Sequence, residues 1–175
     1  MGGLIKYKYH KQYRLQYFNY ASTAYYVVTI CTKERQHYFG TIRNGEPRLS
    51  VIGKTVQECL NNLPMKLSYM RMDEFVIRPN HVHAIVFINN PENERTLSEK
   101  KFQPEKHSLS LVIRNFKSTV TLLVRRNMGM IDIWQPQIYD RIVRNEYELN
   151  RIRTYIHNNP AQWEMDKDNP ESLLM

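Results

Sequence analysis

The chain has 175 residues, of which 42% are hydrophobic and 11% aromatic, and its Lys and Arg outnumber its Asp and Glu to give a net charge of +8. This length and apolar content predict one domain and exclude disorder along the whole chain. No stretch reaches the ~18 apolar residues of a transmembrane helix, and the N-terminus lacks a signal-peptide core. We therefore expect a cytoplasmic protein with no membrane partner, whose Cys31 and Cys59 are core thiols.

The first predicted feature is a basic, aromatic N-terminal arm over residues 1–24. Its first twenty residues hold no acidic side chain, and tyrosines alternate with the cations. Cations neutralise phosphates and tyrosine rings stack on unpaired bases, so this composition favours single-strand binding. The alternative is an extended lead-in whose tyrosines cover the edge of the core. The cations of the arm are Lys6, Lys8, Lys11 and Arg14.

The next segments predict a strand, a hairpin and a helix. Residues 25–32 are β-branched and aromatic, which is typical of a central strand. A hairpin follows over residues 39–49, with Asn44-Gly45 as its tight turn. Ser50 then caps a helix whose apolar residues recur at helical spacing, and this helix is expected to end at Pro64.

Two neighbouring strands follow, over residues 71–77 and 81–88, and the short break between them predicts antiparallel pairing. Residues 89–107 are polar and contain proline, which predicts a variable surface loop. Ser108 begins a long helix with one apolar stripe. Its polar side carries an acid-free basic stretch that includes Arg114 and Lys117, for which a solvated face is the default interpretation.

The C-terminal part predicts a turn at Gly129, a segment from Trp134 with strand character over residues 138–143, and a last helix that stops near Pro160. Asn145 and Glu148 have the spacing of a capping box at the start of that helix. Strands and helices mix without regular alternation, so the predicted class is α+β, an antiparallel sheet with helices packed on it.

His81-Val82-His83 is the first pattern that suggests chemistry. Residues i and i+2 of a strand point to the same face, so both imidazoles can converge on one ion. The alternative is two histidines satisfied by hydrogen bonds at a sheet edge.

Tyr155 and Asn159 are four residues apart on the last helix and share one helical face. The Asn159 amide could complete a His-His-Asn metal site, with the Tyr155 phenol one helical turn away as a nucleophile beside a Lewis acid. From periodicity alone, Tyr155 is equally an ordinary packing residue beside Ile152 and Ile156.

Four segments together resemble the single-tyrosine HUH transposases, the IS200-like insertion-sequence family, and most of all its REP-associated members. They are YYVVTICTKERQHYFG from Tyr25, EFVIRPNHVHAIVFI, SLVIRNFKSTVT, and IWQPQIYDRIVRNEYELNRIRTYIHNNPAQWE. Pro79-Asn80-His81-Val82-His83 matches the HUH motif, and Tyr155-Ile156-His157-Asn158-Asn159-Pro160 matches the tyrosine motif. The resemblance covers nearly everything from Tyr25 to about Trp163.

The resemblance implies a ferredoxin-like or RRM-like sheet with the HUH motif on a central strand. It implies that Tyr155 is the nucleophile and that His81, His83 and Asn159 bind a divalent cation, Mg²⁺ or Mn²⁺. His157 is kept as an alternative contact. Arg78 departs from the family, where many members have an apolar residue, and its side chain is expected either to hold a phosphate or to face solvent.

The activity implied is cleavage and rejoining of single-stranded DNA near hairpins through a 5′-phosphotyrosine, by a nucleoid-associated monomer or homodimer. A phenol is protonated at neutral pH, so Tyr155 needs a nearby cation, either the metal ion or Arg153 or Arg78. The expected DNA-binding residues are Lys6, Lys8, Lys11, Arg14, Arg78, Arg114 and Lys117. Two rival functions are a non-catalytic single-strand-binding module with an RRM-like sheet and a metal-dependent nuclease that uses water.

Overall fold

The computed structural model describes residues 20–43, 46–90, 107–130 and 132–158. Six strands and three helices make up these residues, with a 3₁₀ turn at Lys33–Arg35 after the first strand. In chain order they are β1 (Ala24–Thr32), β2 (Gly40–Arg43), β3 (Glu46–Leu49), α1 (Val51–Lys66), β4 (Met70–Arg78), β5 (His81–Ile88), α2 (Leu109–Met128), β6 (Trp134–Ile142) and α3 (Glu146–Asn158).

The main sheet has four strands in the order β4-β5-β1-β6, and every neighbouring pair is antiparallel. Helix α1 connects β1 to β4, and α2 connects β5 to β6, so two split β-α-β units interlock. This is the ferredoxin-like, RRM-like arrangement that the family resemblance implies, with His81 and His83 on the central strand β5. The hairpin β2–β3 forms a separate two-stranded sheet.

Alternation along β1 and β5 divides the core into two layers. Tyr26, Val28 and Ile30 join the larger layer with α1 and α2. Val27 and Ile85 join a smaller layer with Leu149, Ile152 and Ile156 of α3 on the opposite face. Because successive strand residues point to opposite faces, Thr29, His81 and His83 lie on the α3 face.

Two predicted boundaries differ from the structure. Helix α1 continues to Lys66 and does not end at Pro64, because a proline in the last turn removes only one helical hydrogen bond while Leu63 beside it is buried in the core. Strand β6 begins at Trp134, upstream of the strand character predicted for residues 138–143. Its register against β1 shifts between Ile30 and Thr32, and such a bulge accommodates Pro136 within a paired strand.

Several predictions concern residues outside those that the structure describes. They include the arm cations Lys6, Lys8, Lys11 and Arg14, the turn residues 44–45, most of the loop over 89–107, and Asn159. Cys31 and Cys59 are buried free thiols, as expected. Among the described helices, none is long and apolar enough to cross a membrane.

Candidate active site

A tight turn at Pro79-Asn80 places the two histidines. Arg78 and His81 are register partners, so Pro79 and Asn80 are the only residues between β4 and β5. The turn is tied to the end of β1, because the Asn80 carbonyl accepts hydrogen bonds from the Thr32 backbone N–H (2.9 Å) and hydroxyl (3.0 Å). These bonds fix the register of β5 and therefore the face on which both imidazoles lie.

The two imidazoles converge. His81 Nε2 lies 3.0 Å from His83 Nε2, and the rings meet edge to face with centroids 4.5 Å apart. The Nδ1 atoms are also occupied: His81 Nδ1 lies 2.6 Å from Asn80 Oδ1, and His83 Nδ1 lies 2.8 Å from the Thr29 hydroxyl. Both histidines are buried, at 3% and 1% exposure, so their polar atoms require these partners.

The partners determine which ring nitrogen carries a proton. Asn80 Oδ1 can only accept, so Nδ1 of His81 donates and Nε2 of His81 presents a lone pair. His83 Nε2–H then donates to that lone pair, and the Thr29 hydroxyl donates to His83 Nδ1. A hydroxyl can also accept, so Thr29 equally supports the other tautomer of His83, in which both Nε2 atoms present lone pairs.

Both imidazoles are neutral. Burial, together with the positive charge of Arg78, lowers the pKa of His83 to about 3. Burial also lowers the pKa of His81 well below its usual value, and the neighbouring His83 ring and the positive charges of Arg78 and Arg35 act in the same direction. A neutral imidazole is the form that binds metal ions, so neither ring has to be deprotonated from an imidazolium before it can become a ligand.

The pair fits a metal centre. Two nitrogens that each lie about 2.1 Å from an ion, with a right angle between the two bonds, are about 3.0 Å from each other. The Nε2 atoms of His81 and His83 have this separation, 3.0 Å. The outer nitrogens are held by oxygen atoms, as in second shells of histidine ligands. Within the described ranges, no third His, Cys, Asp or Glu completes the set, and the predicted third ligand Asn159 lies outside them.

Helix α3 brings Tyr155 to the same place. The ring centroids of Tyr155 and His83 are 6.2 Å apart, and Tyr155 packs against the smaller core layer.

The cap predicted for the start of α3 is present, because Asn145 Oδ1 accepts from the Glu148 backbone N–H at 2.8 Å. Glu148 also accepts from the Arg144 N–H and pairs with Arg141 of β6 at 2.7 Å. His157 is exposed on the last turn of the helix, whereas Tyr155 is half-buried.

Arg153 ties α3 to the sheet two residues before Tyr155. Its Nε and NH2 donate to the Asp73 carboxylate at 3.1 and 2.7 Å. Asp73 lies where the register of β4 against β5 shifts, between Met72 and Phe75, and a bulge of this kind redirects side chains. Arg153 is thus engaged by Asp73, and the sequence offered no signal for this partner.

Arg78 lies in the site. It is 2% exposed and is the register partner of His81, so its side chain is on the α3 face. The expectation that it faces solvent is therefore wrong, and its charge reaches both imidazoles.

The remaining predicted DNA-binding residues lie elsewhere. Arg114 and Lys117 of α2 line a cavity of about 640 Å³ between α2 and β6, together with Arg125 and the hydroxyl residues Ser110, Ser118 and Thr121. Arg114 is exposed. Lys117 Nζ donates to the Gln135 carbonyl at 2.7 Å, and burial lowers its pKa to about 8, so Lys117 is less available to a ligand than its sequence position suggested.

A relative from Haemophilus influenzae shows the family of the chain. An uncharacterised protein of Haemophilus influenzae is 36% identical, over 88% of this chain and 89% of the relative. The chain belongs to the same family as this Haemophilus protein. No family model matches the chain.

Two solved structures share the fold. A REP-associated tyrosine transposase bound to a REP hairpin aligns with a TM-score of 0.59 at 16% identity, over 85% of this chain and 74% of the other. A candidate transposase from Deinococcus radiodurans aligns with a TM-score of 0.50 at 12% identity, over 83% of this chain and 95% of the other. At such identities the similarity establishes the fold.

The Arg153–Asp73 pair generates a prediction about α3. Asp73→Asn should lower the free energy of unfolding by about 1–2 kcal/mol, since the pair is charge-assisted but partly solvated. Arg153→Lys should behave similarly, because lysine cannot bind both carboxylate oxygens in a fork. Urea unfolding measures the loss, and amide hydrogen exchange should show it concentrated in α3. Glu74→Gln, next to Asp73 but exposed, is the control, and equal exchange in all three variants would contradict the anchoring role.

Proposed function

We propose that this protein is a transposase or single-strand endonuclease that cleaves and rejoins single-stranded DNA through a covalent bond to Tyr155. One observation carries the proposal: two buried, neutral imidazoles whose Nε2 atoms are 3.0 Å apart face the phenol ring of Tyr155 across the same side of the sheet. The transposases that share the fold support the same activity.

His81 and His83 would hold a divalent cation, Mg²⁺ or Mn²⁺, with Asn159 as the proposed third ligand. Such a cation supplies Lewis-acid polarisation of a phosphate oxygen. Asn80 and Thr29 orient the two imidazoles, and the Thr29 hydroxyl accepts from His83 Nδ1 once its Nε2 becomes a ligand.

Tyr155 supplies the nucleophile. Its phenol oxygen attacks phosphorus and its proton passes to solvent, while the bond from phosphorus to the 3′ oxygen breaks and the leaving 3′ oxygen takes a proton from solvent. The products are a 5′-phosphotyrosine and a strand with a free 3′-hydroxyl. Attack of a 3′-hydroxyl on the phosphotyrosine restores a phosphodiester and releases Tyr155, so the exchange requires no nucleotide triphosphate.

Arg78 supplies fixed positive charge. Its buried guanidinium lies on the same face as His81, where a cation favours both the phosphate anion and an ionised phenol. Arg153, which the sequence also offered for this task, is held by Asp73. We therefore assign electrostatic support of the reaction to Arg78 and the positioning of α3 to Arg153.

The cavity between α2 and β6 is the proposed contact for a DNA hairpin. Arg114 and Arg125 are exposed cations that line it without any acidic residue, and cations in this arrangement bind phosphates. Lys117 also lines it, but its Nζ donates to the Gln135 carbonyl, so we assign the phosphate contacts to the two arginines. The arm cations Lys6, Lys8, Lys11 and Arg14 are proposed to bind the adjoining single strand. The REP-associated transposase of the same fold is bound to a REP hairpin, which supports this class of substrate.

The nucleophile is tested by trapping the covalent adduct. Labelled single-stranded DNA that contains a hairpin is incubated with protein and Mg²⁺ or Mn²⁺, then separated on a denaturing gel. The wild type should give a protein–DNA adduct, and Tyr155→Phe should reduce it by at least about a thousandfold, because phenylalanine has no nucleophilic oxygen.

Tyr147→Phe is the matched control, since Tyr147 is a strongly exposed tyrosine of the same helix. Cleavage without an adduct would favour the nuclease that uses water. Binding with neither adduct nor cleavage would favour the non-catalytic module.

The metal site is tested at limiting metal. His81→Ala and His83→Ala should each abolish adduct formation, and removal of divalent cations by a chelator should do the same to the wild type. Thr29→Val should weaken the apparent metal affinity by about 10–100-fold because it can neither donate to nor accept from His83, whereas Thr29→Ser should retain it. An unchanged metal titration in all these variants would overturn the ligand assignment.

The basic cavity is tested through the salt dependence of hairpin binding. Arg114→Gln and Arg125→Gln should each reduce the slope of log K against log salt by about 0.9, one phosphate contact apiece. Arg126→Gln is the control, because Arg126 is exposed on α2 but does not line the cavity. Equal slopes in wild type and variants would place the hairpin elsewhere.

A further inference from the structure

One row of the sheet carries two neighbouring aromatic rings, with a guanidinium over the face of one of them. Tyr25 of β1, Phe87 of β5 and Arg71 of β4 are register partners, so all three lie on the α3 face. The Tyr25 and Phe87 ring centroids are 4.7 Å apart, and Arg71 Cζ lies 4.8 Å from the Phe87 ring centroid. Tyr25 and Phe87 are half-buried and Arg71 is exposed.

This row lines a second cavity, of about 250 Å³, that is bounded on its other side by Arg153 and Asp73. The Asp73 carboxylate is neutralised by Arg153. Arg71 forms no ion pair within the described part of the chain, so the cavity has excess positive charge next to aromatic rings. A cross-strand aromatic pair that serves only to stabilise the sheet does not require an exposed guanidinium or a cavity.

We propose that Tyr25, Phe87 and Arg71 form a nucleotide-binding platform for single-stranded DNA. One unpaired base stacks on the Phe87 ring in place of the exposed Arg71 guanidinium, which turns to bind the phosphate of that nucleotide. Every base has a π-face, so such a platform tolerates any sequence. The two aromatic residues lie on the two central strands, β1 and β5. Single-strand-binding sheets of the RRM type present their stacking aromatics in the same manner.

The platform lies on the same face as the candidate active site. Phe87 and His83 are four residues apart on β5, a separation of about 13 Å at the usual rise of a strand. Helix α3 bridges the two places, with Arg153 at the platform and Tyr155 at His83. A strand held on the platform would thus extend toward Tyr155. The inference rests on the proposed function in one respect: that function identifies DNA as the nucleic acid that binds.

The experiment uses the full chain and a short oligothymidylate that carries one 2-aminopurine, without divalent cation so that no cleavage occurs. Binding to the wild type should quench the 2-aminopurine. Phe87→Leu should remove the quenching and weaken binding at least about fivefold, while Phe87→Tyr restores both. Arg71→Gln should lower the salt slope by about 0.7. Tyr147→Leu and Arg126→Gln are the controls for an exposed aromatic ring and an exposed cation elsewhere.

The platform is overturned if Phe87→Leu keeps the affinity and the quenching of the wild type. It is also overturned if Phe87→Leu and Tyr147→Leu lose affinity and quenching to the same extent. If Phe87→Leu does not fold, Arg71→Gln decides alone, and a salt slope equal to that of the wild type overturns the proposal. Failure here is separable from failure of the proposed function. The adduct on Tyr155 is measured with a different substrate and in the presence of metal, so either result can hold without the other.

Discussion

The register of β5 is the constraint on which the site depends. Thr29, His81 and His83 share a face only because β5 pairs with β1 in one register, and a slip of one residue would turn both histidines into the layer of α1 and α2. Two features hold that register: the two-residue turn at Pro79-Asn80 and its backbone bonds to Thr32. The same turn supplies Asn80, which orients His81. The pairing of β5 and the orientation of His81 thus depend on the same turn.

A buried site of this kind has to satisfy its polar atoms. The chain from Thr29 through His83 and His81 to Asn80 uses every ring nitrogen of the pair, which avoids the penalty of a buried unpaired donor or acceptor. Thr29 matters because a hydroxyl serves either tautomer of His83, so the same residues can support hydrogen-bonded or ligand-binding imidazoles. Burial keeps the imidazoles neutral, and the positive charge of Arg78 in the same row acts in the same direction. The site therefore combines a buried positive charge with two neutral imidazoles.

Much of the fold followed from local patterns. The strands β1, β4 and β5, the caps of α2 and α3 at Ser108 and Asn145, and the α+β class were predictable because side-chain periodicity and capping are local properties. The missed features are non-local. The end of α1 beyond Pro64 depends on core packing around Leu63, and the Arg153–Asp73 pair joins residues that are far apart in sequence. The burial of Arg78 is also decided by neighbours from other strands.

The sequence by itself determined the class of the fold, the histidine pair on a strand and the tyrosine on the last helix, because each of these is written in residue order and spacing. Only the tertiary structure decided that the two Nε2 atoms converge, that Thr29 and Asn80 hold them, and that Tyr155 faces His83. It also brought Tyr25, Phe87 and Arg71 into one row. The physical reason is the same throughout: distances between side chains from different elements depend on register and helix packing, which no single segment specifies.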